Sequence, residues 1–260
     1  MAAVFDPNLA FAYMERALWD NATGAYREAA DPGWPFHLND NFLARIIAIR
    51  YNPARVAPLT MFLRNPNGTP YFDTRWCLLM DSPELWGLFQ HGDLNYVDWI
   101  ALEAIYKSKA RQPITATLAA LRARDTTNSG WFTDPATPYN GHETYKSALS
   151  AVAFSIGGDS ARVARCMSVV AGQQITLPGH PEYGGVLTDD RYFTDPPYHT
   201  WANVETTSLA IYASWKVAGG FKIPVWLPLV ALGIVGGGAF LKFKGAGQGA
   251  PAQGEYERWT

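Results

Sequence analysis

Four stretches of the chain share one pattern, an acid followed by apolar and small residues on nearly every side. They are "DNFLARIIAI" from Asp40, "DWIALEAIY" from Asp98, "ETYKSALSAVAF" from Glu143 and "ETTSLAIYASW" from Glu205. A helix without a polar face has to be buried all round, so these stretches predict inner helices over 40–50, 98–107, 143–156 and 205–216. Two other stretches are apolar on one side only. "QPITATLAALRAR" has Pro113 near its first position and a stripe of Ile114, Leu118 and Leu121. "DSARVARCMSVVAG" offers Asp159 as an N-cap before Val163, Met167 and Val170. Both read as outer helices. The N-terminus reads as a further amphipathic helix with Phe11, Met14, Ala17 and Leu18 on one face. It has no basic start and no apolar run before Asp6, so it is not a secretory signal peptide.

Between the helices a loop phrase recurs. "PYFDTRW" contains Asp73, "GWFTDP" contains Asp134 and "RYFTDPP" contains Asp195, at a constant spacing of 61 residues. A shorter relative carries Asp31-Pro32. After Asp31, Asp134 and Asp195 an acid follows nine or ten residues on, at Asp40, Glu143 and Glu205. Asp98 follows Asp73 at a longer distance, with the short segment "SPELWGLF" in the gap. A fixed period with aromatic markers is the signature of a repeat architecture. Each phrase is therefore expected to carry the chain from an outer helix to the next inner one. The fold expected is all-α: repeated αα hairpins closed, or partly closed, into a ring.

The unit "GGVLTDDRYFTDPPYHTWANVETTSLAIYASW" resembles the repeat of the α/α-toroid proteins, among them terpenoid cyclases, protein prenyltransferases and thioester-containing complement domains. The "SGWFTDPATPYNGHETYKSALSAVAF" unit is similar, and the resemblance covers roughly residues 20–217. It implies a ring of inner and outer helices, an architecture also used by (α/α) glycosidases. It carries over no activity, because DxDD, DDxxD, the CGEQ thioester and an Asp/Cys/His zinc set are all missing.

The C-terminal pattern differs from everything before it. From Ile223 to Leu241 no residue is charged, and Lys222 and Lys242 frame the segment. As a helix it would reach about 28 Å, close to the hydrocarbon thickness of a bilayer. The expected organisation is a helical-repeat domain over 1–217, a linker over 218–222, a transmembrane helix over 223–241 and a flexible polar tail over 242–260. Gly233 and Gly237 form a GxxxG pair suited to packing against another membrane helix. Basic residues on the two sides nearly balance, leaving the side of the soluble domain undetermined. A domain facing the side of synthesis, or one built into a virus particle, is the simpler expectation.

Charge and composition add exclusions. A formal net charge of -2 gives no electrostatic reason to expect nucleic acid as a partner. No glycine-rich nucleotide loop follows a strand, and neither CxxC nor HExxH occurs, so no cofactor and no metal are expected. Cys77 and Cys166 read as buried thiols, with one disulfide as the alternative. Ten Trp and thirteen Tyr are many for this length, and they suit either a well-packed core or a stacking groove.

In a helical ring, acids at the inner-helix N-termini converge on one mouth. Asp40, Asp98, Glu143 and Glu205 are the candidate catalytic carboxylates, with Tyr26, Trp131, Tyr139, Tyr192, Tyr198 and Trp201 as candidate binding residues above them. His142 and His199 lie beside this set as proton carriers or, by preference, as loop hydrogen-bonders. Acids at helix starts most often cap, and recurrence at equivalent positions is what capping predicts, so capping is the preferred reading. The function expected is a single-pass membrane-anchored structural or interaction subunit of a membrane, envelope or virion assembly. Its partners would be lipid, a second membrane helix, and a protein or glycan on the aromatic loops. The alternative is a membrane-tethered glycoside hydrolase using Glu143 and Glu205.

Overall fold

The structure, a computed structural model, describes residues 4–31, 33–135, 142–190 and 201–218. The described chain is mostly helical, in the order α1 (Pro7–Tyr13), α2 (Leu38–Tyr51), α3 (Val56–Phe62), α4 (Pro83–Trp86), α5 (Val97–Lys109), α6 (Thr115–Ala123), α7 (Thr144–Ile156), α8 (Ser160–Gly172) and α9 (Val204–Val217). Strand structure is confined to a two-residue antiparallel pair, β1 (Trp19–Asp20) and β2 (Ala25–Tyr26), with a few isolated bridges. The expected all-α class holds.

All four apolar stretches form helices within two residues of the expected bounds. They are inner helices: Asp40 to Ala48 in α2 and Lys146 to Phe154 in α7 are buried without a break. Small residues make this possible. Ser147, Ala148, Ser150 and Ala151 in α7, with Thr207, Ser208 and Ala210 in α9, let neighbouring backbones approach on every side. α7 packs between α5 and α9, and α9 packs in turn on α2. A 3₁₀ turn, Trp76–Leu79, touches both α2 and α5. The outer helices behave as their stripes require. α6 lies on α5 and α8 on α7. Leu118, Leu121, Val163 and Val170 are buried, while Ile114 and Met167 are partly covered.

The N-terminal helix is shorter than its pattern suggests. Asp6 caps α1 by accepting from the backbone N–H groups of Asn8 and Leu9, and after Tyr13 the helix widens into a π turn, Met14–Leu18. That turn keeps Met14 and Leu18 in the core, with Phe11 against Tyr51 and α1 lying on α9.

The recurring loop phrase is anchored twice. Its Phe packs on an inner helix: Phe72 against Phe42 of α2, and Phe132 against Phe154 of α7. Its Asp supplies hydrogen bonds to a following or neighbouring turn. Asp73 Oδ1 accepts from the N–H groups of Arg75 and Trp76, closing the 3₁₀ turn. Asp134 Oδ1 accepts from the N–H of Val97 at 2.7 Å and so caps α5 from another loop. Gly130, ahead of that Asp, has φ +90°, and a Cβ there would come within 2.7 Å of the Arg165 backbone in α8. Only glycine fits both the turn and the contact. Asp195 lies outside the described residues.

Cys77 and Cys166 are both free and buried, as expected. Among the described residues no helix is long and apolar enough to cross a membrane; the predicted span over 223–241, with Gly233 and Gly237, lies outside them.

Candidate functional site

The N-termini of α2, α5, α7 and α9 place Asp40, Asp98 and Glu143 within electrostatic reach of Glu205. Their roles differ from simple capping. The start of α9 is capped by Asn203, which accepts from the N–H of Thr206 at 2.8 Å. The start of α5 is capped by Asp134. Glu143 stands at the N-cap position of α7 but makes no side-chain cap, turning instead to Lys146. Asp40 accepts from the side-chain amide of Asn39 at 2.8 Å, and Asp98 accepts from Arg75 at 2.6 Å. No hydrogen bond to the Glu205 carboxylate forms among the described residues. The capping expectation is therefore corrected: none of the four acids caps its helix, α5 and α9 being capped by Asp134 and Asn203 while α2 and α7 have no side-chain cap.

Arg75 is the central cation. It comes from the loop after Asp73, which holds its backbone N–H, and its guanidinium lies over the rings of Trp76 and Trp99 at 4.1 and 5.4 Å. Lys146 is the second, with Nζ donating to Asp134 at 2.6 Å and to Glu143. Burial pulls the Lys146 pKa down, but Glu143 and Asp134 together outweigh it and hold the ammonium above its ordinary range. Around these lie Glu28, paired with His37 at 3.0 Å, and Asp73, whose Oδ2 accepts from the Tyr71 hydroxyl at 3.0 Å.

Burial pushes the Asp40 carboxyl well above the carboxylate range. Glu205, Glu28 and Asp73 add to the rise, and Arg75 opposes it. Burial also raises Glu205, with Arg75 opposing and Glu143, Asp98 and Glu28 reinforcing. Glu205 nevertheless keeps some accessible surface, whereas Asp40 is only 4 % exposed. Both carboxyls are thus shifted upward, chiefly by burial, while Asp98 is paired with Arg75. Tyr145, the residue after the start of α7, faces Asp98, Glu143 and Glu205; burial raises its phenol, so it remains an O–H donor.

The predicted aromatic residues divide. Tyr26 is not above the acids: it is fully buried in β2, edge-on to Trp19, with its hydroxyl on Glu15. Trp201 is half-buried and lies 4.4 Å from Trp34, centroid to centroid. Its indole N–H is buried without a partner among the described residues. The loop bearing Trp34 runs from Glu28 to His37, and the carbonyl of Glu28 accepts from the N–H of Val204 at 3.0 Å, so the pair stands beside the α9 terminus. Trp131 packs on His142. His142 is held by Asp190, through its backbone at 2.9 Å and its Nδ1 at 2.7 Å, as a loop hydrogen-bonder would be. Tyr139, Tyr192, Tyr198 and His199 lie outside the described residues. Among those described, no group of His, Cys, Asp and Glu could hold a metal ion.

Sequence reasoning missed Glu28, Trp34, Asp73, Arg75 and Tyr145. Arg75 sits two residues after the marker Asp73 and Tyr145 two after Glu143, but the equivalent positions of other repeats hold Ala136 and Thr207, so the repeat frame pointed at neither. Comparison of the chain with family models, with curated proteins and with solved structures gave no match in any of the three.

Proposed function

We propose that the chain is a membrane-tethered carbohydrate-active hydrolase on an α/α toroid, with Asp40 as general acid and Glu205 as general base. One observation carries this reading: two desolvated carboxyls on neighbouring helices are raised together while neither is used to cap a helix. Catalytic acids and bases need pKa values near the working pH, and burial among like charges is the usual means of moving carboxyls there. Asp40 would donate its proton to the glycosidic oxygen as the bond from the anomeric carbon breaks. Water would add to that carbon and lose its proton to Glu205. Asp98, held by Arg75, would offset the positive charge developing on the sugar ring. Trp34 and Trp201 would supply a stacking surface. The ring is supported by the packing of α5, α7, α9 and α2 in succession, with Trp76–Leu79 touching both end members. The tether is the 223–241 segment, by its length and lack of charge.

The test is hydrolysis of a panel of oligosaccharides by the full chain in mild detergent. Activity should fall at least about a hundredfold in both Asp40→Asn and Glu205→Gln, the range general acid–base groups contribute. Activity that survives both changes refutes the assignment.

The reading as a structural or interaction subunit is favoured by one other observation. Trp34 with Trp201, and Trp131 with His142, give the loop face two half-exposed aromatic pairs that could dock a partner whatever the acids do. On that reading the acid variants keep their partner in a native pull-down and Trp201→Ala loses it.

A further inference from the structure

We infer that Asn67 is an N-glycosylation site, its side-chain amide taking an oligosaccharide from a polyprenyl-diphosphate donor across the membrane from the side of synthesis. The orientation rests on the tether proposed above, the acceptor on its own loop. The chain holds two triplets of the form Asn-x-Ser/Thr with x other than Pro, Asn21-Ala22-Thr23 and Asn67-Gly68-Thr69. Such a triplet is an acceptor where it lies on a reachable surface turn. Residues 67–69 are all exposed, at the tip of a hairpin closed by the Arg64–Pro70 bridge and by the Tyr71 N–H on the Leu63 carbonyl. Gly68 takes φ +80°, and a Cβ there would meet nothing within 4 Å, so the tip stands clear of the domain.

Within the triplet the side chains are already arranged on one another. Asn67 Oδ1 accepts from the Thr69 N–H at 3.1 Å and from the Thr69 hydroxyl at 2.6 Å. These bonds fix the amide plane, and no described group accepts from Asn67 Nδ2. In the transfer, Nδ2 bonds to the anomeric carbon, that carbon's bond to the diphosphate oxygen breaks, and the lipid diphosphate leaves. One amide proton passes to a base of the transferase. Asn21 is exposed in the β1–β2 turn but is arranged otherwise. Its Oδ1 accepts from the Trp19 indole at 2.8 Å, and the Thr23 N–H goes to Asp20 instead. It is the poorer acceptor.

The orientation has its own observation. Lys216 lies in α9 with its ammonium 3.0 Å from Asp81, so it belongs to the folded domain and not to the flank of the 223–241 segment. Lys222 then stands alone before the segment, against Lys242 and Lys244 just after it. The flank richer in Lys and Arg stays cytoplasmic, which puts residues 1–217 outside, against the simpler expectation from the sequence.

The experiment is peptide mass spectrometry of the full chain isolated from the cells that make it, with alkaline carbonate extraction in parallel. Most of the Asn67 peptide should carry a glycan, placed on the Asn side chain by fragmentation, and Asn21 should carry less. Made in the same cells, Thr69→Ser should keep the glycan and Thr69→Ala should lose it, with the melting temperature as the control for folding. An unmodified Asn67, a glycan that survives Thr69→Ala, or a heavier load at Asn21 overturns the inference. If Asn67 is unmodified and the chain still resists carbonate, the tether stands and the inference falls. If Asn67 is modified and the chain washes off, the acceptor site stands and the tether falls.

Discussion

Asp134 joins three parts of the chain, so its replacement should be costly in a way that separates two effects. Oδ1 caps α5 at Val97, and Oδ2 pairs with Lys146 at 2.6 Å. Both side chains of that pair are nearly dry, at 1 % and 6 % exposed. Asp134→Asn keeps an oxygen for the Val97 N–H but sets an NH₂ group against an ammonium. Breaking a buried pair on one side costs about 3–5 kcal/mol. Glu143 still partners Lys146, so the low end of that range, about 3 kcal/mol, is expected. In a chain of this size that lowers Tm by roughly 6–12 °C. Asp134→Ala also removes the cap and should cost about 1 kcal/mol more. Lys146→Met combined with Asp134→Asn removes both charges while keeping the cap, and should recover most of the loss. The assay is thermal melting by circular dichroism of the wild type, Asp134→Asn, Lys146→Met and their double variant, read as a double-mutant cycle, with Asp134→Ala melted alongside. An Asp134→Asn cost under about 1 kcal/mol, or a double variant no better than the sum of the singles, would refute the reasoning.

The other predictions are independent of that pair. Asp40→Asn should stabilise the protein at pH 7: its raised carboxyl gives stability that is full below the unfolded value near 4 and is lost as pH rises through the folded value, so the advantage should vanish in acid melts. Lys109 is pushed down to about 8, chiefly by burial, with Lys216 adding and Asp81 opposing. Lys109→Met should therefore raise Tm at pH 7, where the ammonium is held desolvated, and lose that gain above about pH 10, where the amine is neutral in both states. Gly130→Ala should cost about 2–4 kcal/mol in urea unfolding, from positive φ and from collision with the α8 backbone. Leu232→Asp should raise the insertion cost of the proposed span by about 2.5–3.5 kcal/mol and weaken retention against alkaline carbonate extraction.

The helices were legible in the sequence because burial on every side leaves a signature that no loop shares. The range expected for α7 from Glu143 and the apolar stretch after it, 143–156, differs from the observed helix by one residue. The loop phrase was legible as a repeat, but the use of its Asp was not. Asp134 caps α5, a helix that begins 37 residues earlier, and no spacing rule reaches that far. The four acids were found, yet their role was misjudged for the same reason. Capping is a local inference, and Asn203 and Asp134 had already filled the positions it assigned. Tyr26 read as a loop aromatic above the acids; its partner Glu15 lies on the π turn, whose geometry only the packed structure supplies. Arg75 was overlooked because a single basic residue carries no pattern.

The hold of α1 on α9 ties together the two ends of the described residues. The Gln174 side chain accepts from the Asp6 N–H and donates back to the Asp6 carbonyl, the Tyr13 hydroxyl donates to the carbonyl of Ala202, and α1 lies along α9. In an open stack of repeats each unit feels only its neighbours, so the ends fray first and terminal units can be trimmed one at a time. Here the two ends of the described fold brace each other. Cutting between α5 and α6 while splicing residue 218 to residue 4 through a short flexible link should leave every helix in place. Deleting α1 alone should weaken α9, the helix most distant from it in sequence.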